Sequence, residues 1–203
     1  MSNIVDSIKL ENKNVLDIGC YDGAFLSLIK HRNNNFYGIE ASDYGVKECI
    51  KKRINIKQIF FDDKTKIPFE DNFFDLIIAG EIIEHIYDTD FFLDEILRLL
   101  KPNAMLIIST PNIASLGRRL LLMLGISPII ELSLNKNTGS GHIRYFTFAT
   151  LKDLLEKHFL KVLVKKSDVV NLSRDGKFKI SFLAKIIPSF GQSIIYLCQK
   201  QEA

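Results

Sequence analysis

Cysteine is scarce in this sequence and is not spaced for a metal or a disulfide framework. The three cysteines, Cys20, Cys49 and Cys198, are odd in number, lie far apart and never form a CxxC pair. That pattern indicates neither a disulfide-bonded scaffold nor a zinc site. We therefore expect a reducing compartment and a cytoplasmic location.

Long apolar runs are also lacking. Asp6, Lys9 and Glu11 interrupt the first residues, where a secretory signal needs uninterrupted apolar sequence. The charge-free stretch 120–130 falls short of the ~20 residues that a membrane-spanning helix requires. We expect no signal peptide and no transmembrane segment, whereas contact with a membrane surface stays open.

The excess of one charge sign is small. Lys and Arg total 27 against 24 Asp and Glu, which leaves a net charge of +3. A polyanion-binding protein usually shows a stronger basic excess, so nucleic acid is not an expected partner. With 203 residues, of which 47% are hydrophobic, the chain predicts one globular domain over residues 1–203. The oligomeric state is not predicted.

Short β-rich runs alternate with amphipathic segments through the first half of the chain. The predicted strands cover 14–18, 36–39, 56–61, 74–79, 105–109, 162–164 and 193–198. Two predicted helices cover 24–31 and 44–53. A third begins at a capping residue, Asp88 or Thr89, and stops at Pro102. A fourth begins after the capping residue Thr147. This alternation predicts an α/β fold with a doubly wound, Rossmann-like sheet, whose ligand lies beyond the carboxyl ends of the strands.

A glycine-bearing turn follows the first predicted strand and reads Asp17-Ile-Gly-Cys-Tyr-Asp-Gly-Ala24. Glycine there lets a ligand approach the backbone at the start of a helix. Glu40 ends the second predicted strand 21 positions after Gly19, close to the ~20-residue offset at which an acidic residue binds ribose hydroxyls. The turn and the acidic residue together predict a ribose-bearing ligand.

The absence of two motifs narrows the choice of ligand. The spacing Gly19-x-x-x-Gly23 is not the GxGxxG motif of dinucleotide sites, so NAD is the second choice of ligand. The sequence also lacks the GxxxxGK[ST] motif that binds a nucleoside triphosphate. Asp17 and Asp22 would repel a phosphate but suit a sulfonium-bearing nucleoside. These features favour S-adenosylmethionine.

The residues around this turn resemble motif I of the class I S-adenosylmethionine-dependent methyltransferases. Further similar segments follow in order, at Tyr37–Glu40, Ile67–Asp75, Gly80–Ile86, Leu99–Asn112 and Gly141–Thr147. The resemblance covers about residues 13–198 and is to the small-molecule branch of quinone and sugar O-methyltransferases. It implies a seven-stranded, mostly parallel sheet with an antiparallel last strand. The apolar segment 113–132, followed by the polar, glycine-bearing stretch 133–141, predicts a helical cap insertion at 113–141.

Methyl transfer from S-adenosylmethionine to a small-molecule acceptor, with oxygen favoured, is the activity that the resemblance implies. An RNA methyltransferase and a catalytically silent cofactor-binding or scaffold protein of the same fold are the alternatives. An activated methyl donor needs alignment more than catalytic side chains, which agrees with the lack of an evident hydrolase triad or metal cluster. No metal cofactor is expected.

The resemblance also assigns the cofactor-binding residues, which end the predicted strands. They are Asp17, Gly19, Cys20, Gly23, Glu40, Ala41, Asp62, Asp63, Gly80 and Glu81. Glu40 would bind the ribose hydroxyls, and either Asp62 or Asp63 would meet the adenine amino group. Gly80 and Glu81 would line the methionine portion.

His85, four residues after Glu81, is a candidate proton acceptor for a hydroxyl, although a structural role in the core is favoured. The candidates for substrate recognition border the predicted cap and are Asn112, His142, Arg144 and Tyr145. Anchoring of the lid is their alternative role.

Two further features of the sequence call for a structural test. Tyr21 stands where the family commonly has glycine, and a left-handed backbone there would cost about 1–3 kcal/mol. The apolar run 120–124 inside the predicted cap has core packing as its favoured interpretation. The alternatives are covering of a hydrophobic substrate such as a lipid-linked acceptor, contact with a membrane surface, and dimerisation.

Overall fold

The computed structural model of the protein describes residues 2–5, 8, 10–29, 33–60, 66–128, 141–172 and 178–202. In chain order the strands are β1 (Asn14–Ile18), β2 (Asn35–Glu40), β3 (Asn55–Gln58), β4 (Phe74–Gly80), β5 (Leu100–Pro111), β6 (Leu160–Lys166), β7 (Val170–Asn171), β8 (Lys179–Ile180) and β9 (Ser193–Lys200). The helices are α1 (Ser2–Val5), α2 (Ala24–Ile29), α3 (Asp43–Lys51), α4 (Thr89–Leu99), α5 (Leu116–Met123), α6 (Phe148–Lys157) and α7 (Ser181–Ile186), with 3₁₀ turns at Ile83–His85 and Pro188–Phe190.

Seven strands form one sheet in the order β3-β2-β1-β4-β5-β9-β6. β1 pairs in parallel with both β2 and β4, and β4 pairs in parallel with β5. β9 runs antiparallel between β5 and β6. This arrangement confirms the predicted Rossmann-like sheet, with its antiparallel last strand, and places the switch in strand order at β1 and β4.

The sheet is buried on both faces, which explains the nearly continuous apolar runs of β4 and β5. On one face Phe92 and Ile96 of α4 and Leu155 of α6 join the core. On the other face Leu26 of α2 and Cys49 of α3 pack against the strands. Helices on both faces leave the carboxyl edge of the strands as the place for a ligand.

The helix starts follow the capping residues of the sequence. The Asp88 carboxylate accepts the N–H of Phe91 at 2.9 Å, so Asp88 caps α4. Thr147 and Thr150 form a reciprocal capping box at the start of α6. Helix α4 ends at Leu99, earlier than the predicted stop, because β5 begins at Leu100 and includes Pro102.

The segment predicted as a cap is described only up to residue 128 and again from 141, and it contains α5. The favoured interpretation of its apolar run as core packing is wrong, because no residue of α5 is buried. The short elements α1, β7, β8 and α7 were not predicted, since each is too short to produce a sequence period. In the described part of the chain, no helix has the length and hydropathy to cross a bilayer. The cytoplasmic location and the single-domain division stay predictions.

Candidate active site

The turn after β1 has the backbone geometry of a close ligand approach. Gly19 and Gly23 have φ angles of +74° and +69°, in the left-handed region that favours glycine. A Cβ on Gly23 would lie 2.3 Å from Cδ1 of Ile54, so this position also has no room for a side chain. The Gly19 N–H donates to the carbonyl of Ile39 at 2.8 Å and joins the turn to the end of β2.

Tyr21 lies inside this turn with φ +47°, the left-handed conformation considered for it from the sequence. Its N–H donates to Oε2 of Glu40 at 2.9 Å, and its carbonyl accepts the Cys49 thiol at 3.3 Å. Its exposed ring lies 5.7 Å from the ring of Tyr44. These three contacts offset the backbone strain of a non-glycine residue at this position.

Glu40 connects the turn to the start of α3. Its Oε2 accepts the Tyr21 N–H, and its Oε1 accepts the N–H of Ser42 at 2.8 Å. Each carboxylate oxygen can accept more than one hydrogen bond, so lone pairs remain for two hydroxyls of a ligand. A fixed carboxylate beside a glycine turn is the geometry expected for binding a ribose diol.

Asp17 is a buried carboxylate at the end of β1, with 5% of its surface exposed. Burial, followed by repulsion from the nearby Glu40 carboxylate, raises the pKa of Asp17 to about 8. A cationic ligand placed here would favour the ionised form of Asp17. Asp22, by contrast, forms an ion pair with Lys52 at 2.9 Å, which weakens the sequence argument that Asp22 repels phosphate.

The other residues assigned to the cofactor from the sequence have mixed surroundings. The Cys20 thiol is buried 3.8 Å from the sulfur of Cys49, so only the Cys20 backbone faces the turn, and burial raises the pKa of both thiols. Ala41 is exposed after β2, and its carbonyl accepts a hydrogen bond from Gln58. Asp62 and Asp63 lie outside the described residues.

A second polar cluster follows β4. Gly80 ends that strand, and Glu81 has φ +53° and accepts the Ser109 hydroxyl at 2.8 Å. Glu84 is 1% exposed, and its Oε2 accepts the Thr110 hydroxyl at 2.8 Å. Its Oε1 is buried and makes no hydrogen bond to the residues that the structure describes. The cluster therefore contains a buried carboxylate that is only half satisfied.

Two imidazoles adjoin Glu84. Nε2 of His142 lies 3.8 Å from Oε1 of Glu84, and the rings of His85 and His142 are 4.9 Å apart. Burial, and to a lesser degree the Glu81 charge, raise the pKa of Glu84 to about 7. One ligand atom each from Glu84, His85 and His142 lies within 4.8 Å of the others, a spacing that can also bind a metal ion.

His85 differs from the favoured prediction of a core residue, because its side chain is exposed. Its Nδ1 lies 3.2 Å from the Gly141 carbonyl, which requires the proton on Nδ1 and leaves Nε2 able to accept a proton. The helical turn here covers only Ile83–His85, so Glu81 precedes it and does not share a helix face with His85.

The four residues assigned to substrate recognition divide into two groups. Asn112 is buried, and its amide donates to the carbonyls of Ser189 and Gly191, while Arg144 donates to the carbonyls of Ile86 and Tyr87. Both side chains thus anchor backbone, which was their alternative role. His142 joins the Glu84 cluster, and Tyr145 is exposed beside this segment.

Glu84, Ser109 and Thr110 are the members of this site that sequence reasoning missed. A signal was present, because Glu81 and Glu84 lie three residues apart directly after a buried strand and next to His85. The two hydroxyls end β5 next to β4 in the sheet, a juxtaposition that only the strand pairing reveals.

The fold is a Rossmann-like domain, and its two polar clusters lie at the carboxyl edge of the sheet, where ligands bind in domains of this kind. Residues 4–163 match the family model of a methyltransferase domain. The chain belongs to the class I S-adenosylmethionine-dependent methyltransferases.

Relatives of known name agree with this family. The chain is 34% identical over 113 residues to norajmaline N-methyltransferase of Rauvolfia serpentina, which covers 53% of this chain and 39% of that protein. It is 34% identical over 106 residues to the ubiquinone biosynthesis O-methyltransferase of Pelagibacter ubique, covering 51% of this chain and 44% of that protein. The matches thus span less than half the length of these relatives.

A solved structure with the same fold is that of an S-adenosylmethionine-dependent methyltransferase from Methanosarcina mazei. It superposes with a TM-score of 0.71 at 17% identity and covers 98% of both chains. At that identity the likeness shows the fold alone.

Replacing Glu84 by glutamine tests how the protonation of the buried carboxylate affects the stability of the protein. Below the ordinary carboxyl pKa the folded and unfolded states are both protonated, so the replacement changes little. As pH rises toward 7, the unfolded chain ionises first and the native protein loses stability. We expect Glu84→Gln to stabilise the protein by roughly 2–3 kcal/mol at pH 8 relative to pH 4.

Urea unfolding of the native protein and the variant at both pH values measures this difference. Glu70→Gln, at an exposed carboxylate, is the matched control and should show no such pH dependence. An equal effect of both substitutions at pH 8 would contradict the raised pKa of Glu84.

Proposed function

We propose that the protein transfers the methyl group of S-adenosylmethionine to a hydroxyl oxygen of a small-molecule acceptor. The observation that carries this proposal is the side-by-side position of two sites at one edge of the sheet. A turn and carboxylate suited to a nucleoside follow β1 and β2, and a cluster of carboxylates and imidazoles follows β4.

The geometry of the first site supports the following cofactor contacts. Glu40 binds the ribose hydroxyls, and the turn from Gly19 to Gly23 passes beside the amino-acid portion. The ammonium group of the cofactor lies near Asp17, where the buried carboxylate gains a positive partner. Gly80 and Glu81 line the methionine portion after β4, and Ala41 contributes a small apolar surface near the adenine.

The reaction needs alignment and removal of one proton. S-adenosylmethionine would supply the activated methyl group, and the residues of the first site would hold it facing the acceptor hydroxyl. His85 takes the hydroxyl proton on Nε2, because its Nδ1 proton is directed to the Gly141 carbonyl. Glu84, whose carboxylate lies within 4.8 Å of His85, compensates the positive charge that develops on that imidazole.

We favour a hydroxyl acceptor because the second site brings several bases close together. Oxygen must lose a proton on methylation, and two imidazoles with a half-satisfied carboxylate provide acceptors for it. A silent cofactor-binding protein would have no use for a buried carboxylate with an unsatisfied oxygen, which destabilises the fold. The net charge of +3 gives RNA methylation no support.

The same cluster fits a divalent cation. Glu84, His85 and His142 would provide its ligands, and the unsatisfied Oε1 of Glu84 is the kind of atom that a cation would complete. A bound cation would polarise the acceptor oxygen. Assays with and without a chelator therefore accompany the activity test below.

Cofactor binding is the first measurement. Calorimetric titration with S-adenosylhomocysteine should show saturable binding, and titration with NADH should show none. Glu40→Ala should weaken binding about tenfold or more, because it removes a charged acceptor for the ribose hydroxyls. Glu40→Gln retains an acceptor for the Tyr21 N–H, so its affinity should lie between those of the native protein and Glu40→Ala. This comparison separates ribose binding from support of the turn. Binding of NADH instead would contradict the proposed cofactor.

Binding should also release a proton. At pH 7 most Asp17 carboxyls are protonated in the free protein, and the ligand ammonium favours the ionised form. We expect release of about one proton per site at pH 7, and affinity that rises with pH between pH 6 and pH 7.5. Calorimetry in buffers of different ionisation enthalpy measures this release. Asp17→Asn should bind more weakly and release none; if it released as many protons as the native protein, Asp17 would not be their source.

The acceptor side is tested by activity on a panel of phenols, catechols and amines. His85→Ala and Glu84→Gln should each lower kcat on hydroxyl acceptors by about a hundredfold or more and leave S-adenosylhomocysteine binding unchanged. Added imidazole should restore part of the His85→Ala activity. Loss of native activity with a chelator, restored by Mg²⁺ or Mn²⁺, would assign the cluster to a cation, whereas unchanged activity would assign it to direct proton transfer. Methylation of amines alone would contradict the proposed acceptor.

A further inference from the structure

Helix α5 is an amphipathic helix whose apolar side chains are largely exposed in the described part of the chain. None of its residues is buried, although it carries the run Leu120–Met123. The exposed apolar side chains of this helix and the following turn are those of Leu120, Leu122, Met123, Leu124 and Ile126. Met123 is 82% exposed, which is unusual for a side chain of this type on a folded helix.

A second group of exposed apolar residues surrounds α7. Its members are Phe178, Phe182, Ile186 and Ile187. Phe182 is 72% exposed, and the only buried residue of α7 is Ala184. The two groups contain nine of the nineteen large exposed hydrophobic residues of the described chain.

Both helices pack against the same two elements, β7 and the 3₁₀ turn Pro188–Phe190. The Arg119 guanidinium lies over the ring of Phe190, 5.4 Å from its centre. A Cβ on Gly117 would lie only 2.3 Å from the carbonyl oxygen of Asn171, so α5 and β7 approach closely. The two apolar groups therefore belong to one region of the surface, which we call the α5–α7 face.

The charged residues in the two described segments that form this face are all basic. Residues 116–128 contain Arg118 and Arg119 and no acidic residue, and residues 178–190 contain Lys179 and Lys185 and no acidic residue. Exposed apolar side chains with only basic neighbours are the pattern of segments that lie in the interface of an anionic bilayer. Two copies of the face would oppose like charges, which disfavours self-association.

A cavity beside the face continues this pattern. It has a volume of about 670 Å³ and lies between α5, α6 and β6. Arg119, Lys152 and Lys165 line it, together with neutral residues, and none of the described lining residues is acidic. Lys165 lies over the ring of Phe148, and Lys152 also pairs with Glu156. The cavity offers cations and apolar surface to a phosphate group that carries an apolar body.

We propose that the α5–α7 face binds the surface of an anionic lipid bilayer. Leu122, Met123, Leu124 and Phe182 enter the acyl boundary, and the exposed Lys179 and Lys185 contact lipid phosphates. The face is connected to the acceptor side, because Asn112 at the end of β5 binds the carbonyls of Ser189 and Gly191, and Thr110 two residues earlier binds Glu84. Docking would thus bring the second polar cluster near the membrane surface.

Vesicle flotation tests this proposal independently of methyl transfer, so its outcome does not depend on the proposed function. The native protein should float with vesicles of phosphatidylcholine and phosphatidylglycerol and much less with pure phosphatidylcholine. The paired substitutions Met123→Glu and Phe182→Glu should lower partitioning about tenfold or more, as should Lys179→Gln with Lys185→Gln. Added salt should weaken binding of the native protein.

The matched control places the same charges on other exposed apolar positions. Leu28→Glu on α2 and Ile50→Glu on α3 replace residues that are 65% and 60% exposed, and should leave partitioning unchanged. Thermal unfolding of each variant confirms that it folds. Three results would overturn the proposal. The native protein could bind neutral vesicles as well as anionic ones, or the control variants could lose as much partitioning as the face variants. The third is a concentration-dependent dimer that the Met123→Glu and Phe182→Glu substitutions abolish.

Discussion

The parallel pairing of β1 with β2 on one side and β4 on the other brings three carboxyl ends to the same edge of the sheet. The positions of Asp17, Glu40 and Gly80 depend on this pairing, since each ends one of these strands or comes next to its end. Burial on both faces keeps the strands in register, because a shifted strand would carry polar groups into the core. The fold thereby determines where chemistry can occur, and the loops determine which chemistry it is.

Two buried carboxylates, Asp17 and Glu84, dominate the electrostatics of that edge. Burial raises the pKa of each, so both destabilise the ionised protein until a positive partner arrives. At Asp17 that partner is the cofactor ammonium group of the proposed function, and at Glu84 it is a protonated imidazole or a cation. Two buried carboxylates thus favour positive charge on both sides of the proposed reaction centre, where the sulfonium of the methyl donor would also be positive.

Sequence reasoning recovered what repeats locally and missed what depends on distant contacts. The apolar runs of β4 and β5, the cap at Asp88 and the turn with Glu40 were predictable, because each is determined by neighbours in the chain. The closeness of Glu84 and His142 was not, since a long segment of chain separates them. The exposure of α5 was not predictable either, because an apolar helical period is the same whether a core or another surface receives it.

The ends of the segment between Asn112 and His142 are anchored separately from its middle. Asn112 is bound by backbone carbonyls near the start of β9, and the N–H groups of Ile143 and Arg144 both donate to the carbonyl of Glu84. A change in the length or composition of the sequence between these ends would therefore leave the contacts that hold His142 beside Glu84 in place. A descendant of this chain could acquire a different acceptor without rebuilding the machinery that donates the methyl group.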